Sequence, residues 1–116
     1  MDAFTEAYIE AIEFTDFNSD NEELQNSDGM SPNLLASIEA DCADFQEAYA
    51  DDLAAAYDEH GYTPEQAGHD LWLTRNGHGA GFWDRGLGAV GTRLSNAARV
   101  YGACELYAGD DGLVYA

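Results

Sequence analysis

Residues Ser31 to Gly61 constrain the fold more than any other stretch, because apolar side chains recur there at helical spacing while every strong charge is negative. Leu34, Ile38, Cys42, Phe45, Tyr49, Leu53 and Ala56 follow at steps of three and four, which lines one face of a 3.6-residue helix. Ser31 offers an N-cap hydroxyl, Pro32 suits the first helical position and Gly61 supplies a stop. The spacing therefore predicts one long amphipathic helix whose apolar face needs a core. Its other positions hold Glu39, Asp41, Asp44, Glu47, Asp51, Asp52, Asp58 and Glu59, with no Lys or Arg to form i,i+4 pairs. Repulsion on that scale has to be balanced by something outside the helix.

The chain has 116 residues, 46% of them hydrophobic, which suits one domain with a modest core. Its formal charge is −19, against magnitudes of roughly 2–8 that favour a small domain. Residues 1–60 hold 17 acids and no Lys or Arg, whereas residues 61–116 hold six acids and four Arg, so the two parts carry −17 and −2. A polyanion of this kind repels nucleic acid and anionic membranes and is attracted to basic surfaces. The domain thus divides into an acidic helical part, 1–61, and a glycine- and aromatic-rich part, 62–116; from Gly61 onward lie eleven of the twelve glycines and both Trp. Cys42 and Cys104 have no CxxC spacing and read as reduced thiols, Cys42 as a small core hydrophobe. No basic leader and no apolar run of about 18 residues is present, so a soluble, cytoplasmic protein is expected.

A first helix is expected from Asp2 to Asp16, with Phe4, Tyr8 and Ile12 inward, flanked by Ala7, Ala11 and Phe14. Glu6, Glu10 and Glu13 repeat on its other face as a second acidic ridge. Residues 18–30 read as a polar loop or a short helical turn. Thr63-Pro64-Glu65-Gln66 is a capping-box start for a helix running to about Asn76, with Ala67, Leu71 and Thr74 or Trp72 inward. Gly77 to Gly88 carries five glycines around Phe82, Trp83 and Leu87, which predicts an ordered loop packed on the body of the domain. A fourth helix spans Ala89 to Tyr101, and Leu106–Ala108 and Leu113–Tyr115 flank a Gly-Asp-Asp-Gly turn as a hairpin. The fold class is mainly α: about four helices with a short C-terminal β-hairpin.

His69, Asp70, Arg75, His78, Asp84 and Arg85 bring acid, base and cation close together in sequence, the ingredients of an oriented base or an anion clamp. Their spacing matches no HExxH or other ligand pattern, no GxSxG and no phosphate loop, and calls for no metal or cofactor. The better reading is a polar network of His69, Arg75, His78, Asp84 and Arg85 that pins the glycine loop.

The segment from Ala67 to Arg85, AGHDLWLTRNGHGAGFWDR, resembles a signature of small proteins of unknown function encoded by phages and other mobile elements. The resemblance extends to the hairpin, half of the chain, and implies no particular activity. The acidic half is similar in character, not in motif, to phage-encoded DNA mimics that block restriction enzymes and CRISPR effectors. Acids at i,i+3 and i,i+4 stand about 5–6 Å apart, near the spacing of phosphates along a strand. The expected function is a non-enzymatic inhibitor of a host defence complex, anti-CRISPR or anti-restriction. The acids of the two anionic helices, Glu6, Glu10, Glu13, Glu39, Asp41, Asp44, Glu47, Asp51, Asp52, Asp58 and Glu59, would occupy a basic nucleic-acid-binding groove. A homodimer is compatible with the sequence. The alternatives are a small enzyme or metal-binding protein using His69, His78 and Asp84, an acidic regulatory adaptor, and a halophilic domain.

Overall fold

The computed structural model describes residues 1–17 and 21–116; positions 18–20, the start of the expected polar loop, lie outside the described residues. The predicted helix starts form by the predicted chemistry. The Thr5 amide donates to Asp2 Oδ1 (2.8 Å) and opens α1, Ala3–Ile12. The Leu34 amide donates to Ser31 Oγ (3.0 Å) and opens α3, Pro32–Ala48. The Gln66 amide donates to Thr63 Oγ1 while Gln66 Oε1 accepts from the Thr63 amide, a capping box that opens α5, Pro64–Arg75.

Six α-helices are present among the described residues, where the sequence suggested about four. One extra is a single turn, α2, Glu22–Gln25, capped by Asn21. The other comes from a break in the long acidic helix: Tyr49 leaves helical geometry (φ −117°, ψ 28°), ending α3 and starting α4, Ala50–His60. No Gly or Pro marks the break in the sequence. It keeps the Tyr49 ring against Phe45 (centroids 5.0 Å apart) and puts Asp51 and Asp52 in a first helical turn, where the dipole favours negative charge. Beyond α1 the chain continues as a π-helical turn, Glu13–Phe17, in which Thr15 Oγ1 donates to the Ala11 carbonyl (2.9 Å). Phe14, expected to flank the core, is 72% exposed there.

α1 lies directly against α5. Their contacts advance in step, Phe4 on Gly68 and Tyr8 on Trp72, whose rings meet edge to face at 5.4 Å. Trp72 is fully buried and its indole N–H donates to Thr15 Oγ1 (2.9 Å). α3 closes over α1, α4 packs on α6 (Ala89–Val100), and Phe82 of the glycine loop stacks on Phe45 (5.8 Å, 11° between planes). The loop is therefore anchored in the core by Phe82 and Leu87, as expected, whereas Trp83, expected to pack with them, is 52% exposed. It contains a 3₁₀ turn, Phe82–Asp84, entered through Gly81 at φ 148°. A side chain at Gly81 would meet Thr74 Oγ1, which accepts the Phe82 amide (3.2 Å).

The C-terminal hairpin pairs β1, Tyr107–Ala108, with β2, Val114–Tyr115, in the register Tyr107 to Tyr115 and Ala108 to Val114. Two such short strands are marginal alone. Val114 is buried and bridges to Met30, the Ser31 amide donates to its carbonyl (2.9 Å), and its own amide donates to Gly29 O (2.9 Å). The hairpin thereby anchors the entry to α3. Among the described residues no helix is long and apolar enough to cross a membrane.

Candidate functional site

The apolar face read from the sequence of α3 and α4 is the buried face: Leu34, Ile38, Cys42, Phe45, Leu53 and Ala56 are all in the core. Their carboxylate neighbours are consequently turned outward. Glu39, Asp44, Glu47, Asp51, Asp58 and Glu59 are exposed, as are Glu6 and Glu10 on α1 and Glu13 in the π-helical turn after it; Asp41 and Asp52 are half-buried. Glu47, Asp51 and Asp52 line a shallow hollow at the Tyr49 break.

Three of these eleven acids have internal partners that the sequence did not disclose. Asp41 Oδ2 is 3.0 Å from Arg75 Nη1. Asp52 Oδ1 is 2.9 Å from Arg93 Nη2. Asp44 accepts a hydrogen bond from the Tyr101 hydroxyl. Asp41 and Asp52 thus join the two halves of the chain. The remaining eight exposed acids have no arginine within ion-pair distance among the described residues.

Arg75 is the main clasp. Its side chain is 7% exposed, and besides Asp41 it donates to the Tyr8 hydroxyl (3.1 Å), the Tyr101 carbonyl (3.1 Å) and the Gly102 carbonyl (2.8 Å). One guanidinium therefore fastens α1, α3, α5 and the end of α6, using the planar fork that Lys lacks. Burial pushes the Tyr8 phenol well above its ordinary range, with the nearby Arg75 charge acting the other way.

The polar residues expected to form one network, His69, Arg75, His78, Asp84 and Arg85, are not joined in one. Arg75 faces α1 and α3. Arg85 instead makes a bidentate pair with Asp70, which is 1% exposed: Nη2 donates to Oδ1 (2.9 Å) and Nε to Oδ2 (3.1 Å). Asp70 also accepts a short hydrogen bond from the Tyr62 hydroxyl. Burial, followed by the adjacent Asp70 charge, pushes the Tyr62 phenol far up. Asp84 sits at the edge of this pair, Oδ1 3.8 Å from Arg85 Nε, and its Oδ1 accepts the Gly81 amide (3.1 Å). His69 is half-buried and His78 exposed; neither ring makes a hydrogen bond among the described residues, so no carboxylate orients either imidazole.

Asp70 lies three residues after Ala67 on the inward face of α5, a position readable from spacing. Its partner Tyr62 carries no such signal. A cleft of about 370 Å³ lies beside this pair, between Glu10 of α1 and Glu65 and His69 of α5, with Ala7 in its lining. Both Asp70 oxygens are already occupied by Arg85 and Tyr62, so the cluster ties the start of α5 to the glycine loop. Among the described residues no three His, Cys, Asp or Glu converge as metal ligands.

No protein-family model matches the chain, and neither a curated protein nor a solved structure is significantly similar to it.

Proposed function

We propose that the protein is a polyanion mimic: its acidic helices enter a basic nucleic-acid-binding groove of a partner protein and keep the nucleic acid out. The observation that carries this reading is the set of eight exposed carboxylates along α1, α3, α4 and the turn after α1 that have no arginine within ion-pair distance among the described residues, in a chain whose first 60 residues hold no Lys or Arg. Helices that tolerate like charges at i,i+3 and i,i+4 gain most from a receptor that supplies the missing cations, because each carboxylate then accepts a charge-assisted hydrogen bond. The resemblance of the Ala67–Arg85 segment to mobile-element proteins, read from the sequence alone, is the reason a host defence complex, a CRISPR effector or a restriction enzyme, is the partner proposed. Duplex DNA carries one charge per about 1.7 Å, and the grooves that hold it are lined with Lys and Arg.

The test is capture of host proteins on the immobilised chain, followed by competition with duplex DNA and a salt series. A partner displaced by DNA and released as salt rises is expected. Reversing Glu39, Glu47 and Asp51 to Lys should weaken capture by about a hundredfold or more, since each like-charge contact in a basic groove costs substantially. These three positions are exposed and form no ion pair among the described residues, so reversal costs the fold only the favourable place of Asp51 in the first turn of α4, about 0.3–1 kcal/mol. Binding that is indifferent to both salt and reversal refutes the proposal.

A further inference from the structure

The end of α6 differs from the rest of the surface. Val100 is 83% exposed and Trp83, across the glycine loop, is 52% exposed. Arg99, which precedes Val100 in the chain and lines a cleft with Trp83, has no carboxylate within ion-pair distance among the described residues; its one hydrogen bond is a 3.5 Å contact to Asn96 Oδ1. An arginine without a carboxylate is unexpected in a chain with 23 acids. Clefts flank this ridge on both sides. One of about 340 Å³ is bounded by Val100, Tyr101, Tyr49, Ala48 and Asp44; the other, about 240 Å³, lies between Arg99, Trp83 and Leu73.

We infer that this face is a self-association surface. Two copies meet about a two-fold axis near Val100, with Arg99 of each copy set against Asp44 of the other and each Val100 seated in the opposite 340 Å³ cleft. A two-fold contact must be self-complementary, so a patch that forms one needs both charge signs beside an apolar centre. This patch has them: Arg99 on one flank of Val100, exposed Asp44 on the other, and Tyr49 and Tyr101 between. A polyanionic partner would meet Asp44 and the −19 net charge, and a strongly cationic one would meet Arg99; a second copy satisfies both. The contact described uses about six residues a side, against the roughly 20–30 of a standard interface, so a weak dimer follows. Because each copy carries −19, long-range repulsion opposes pairing, and added salt tightens the dimer. Capture of a cationic partner responds to salt in the opposite sense, which separates this inference from the proposed function.

Sedimentation of the purified chain over roughly 1 μM to 1 mM tests it, a range that brackets weak affinities. The expected result is a monomer–dimer equilibrium that tightens between about 0.1 and 1 M NaCl. Arg99→Glu should weaken the dimer about tenfold or more through like-charge contact with Asp44, and Arg99→Glu with Asp44→Arg should restore it. Val100→Asp, at an exposed position that leaves the fold intact, should abolish it. A chain that stays monomeric across the range, a dimer unaffected by Arg99→Glu and Val100→Asp, or no recovery in the double variant overturns the inference.

Discussion

Cys42 and Tyr8 are side chains whose burial has a chemical consequence. Burial pushes the Cys42 thiol up to about 12 and raises the Tyr8 and Tyr62 phenols as well. Each group holds its proton more tightly in the folded chain than in the unfolded one, so unfolding releases protons above roughly pH 9. Stability is then fully present below that value and falls as pH climbs toward 12, by up to about 1.4 kcal/mol per pH unit for each group titrating only in the unfolded chain. Urea unfolding followed at several pH values should show a midpoint that holds from neutrality to about pH 9 and drops beyond it. A midpoint unchanged to pH 11 would contradict the burial of these groups. The inward placing of Cys42 and Tyr8 was legible from three-and-four spacing alone. The partners of Arg75 and Arg93 were not, because Asp41 and Asp52 lie 34 and 41 positions away and every exposed acid on that helix is an equal candidate by composition.

Helix α1 can approach α5 closely because the contact is made by small residues, Ala7, Ala11, Ala67 and Gly68, all buried. At Gly68 the approach is closest: a Cβ placed there would stand 1.9 Å from the Phe4 carbonyl oxygen. The obstacle is backbone, so relief requires the two helices to move apart. Gly68→Ala should therefore cost about 3 kcal/mol despite Ala's better helix propensity, and lower Tm by on the order of 10 °C. Thermal unfolding monitored by the fluorescence of buried Trp72 would measure it, and a wild-type Tm would mean the helices are not in contact at Gly68. Capping residues and inward faces marked α1, α5 and the start of α3 in the sequence, and spacing alone marked α6, whose N-cap Gly88 makes no side-chain cap. The Tyr49 break was hidden because it arises from the packing of one ring on Phe45 and the approach of α4 to α6, and tertiary contact leaves no Gly or Pro as a sign.

The molecule measures 45 × 25 × 22 Å, and its radius of gyration of 14.3 Å exceeds the roughly 13 Å of a rounder chain of this length. Elongation spreads the carboxylates but does not remove their mutual repulsion, which at low ionic strength reaches across the whole particle: the Debye length is about 30 Å at 0.01 M and about 3 Å at 1 M. Tm should accordingly rise with NaCl over that range, most steeply at the low end, while the chain remains folded in ordinary buffer. Differential scanning calorimetry would check this; a chain that folds only in molar salt would favour a halophilic explanation of the charge. At this scale the sequence disclosed that the first half is anionic and that its acids face outward. It did not disclose that Arg75 and Arg93 bind that half to the other, since the pairing exists only once the helices are stacked.

Arg75 also has an implication for engineering. Because a single guanidinium is shared by Tyr8, Asp41 and the backbone at Tyr101 and Gly102, and Asp52 pairs with Arg93, the acidic helices are held in place by residues outside their own stretch of chain. A peptide copied from residues 31–61 would inherit the carboxylates without the knot that orders them. Grafting the anionic surface onto another scaffold would require transplanting that knot as well.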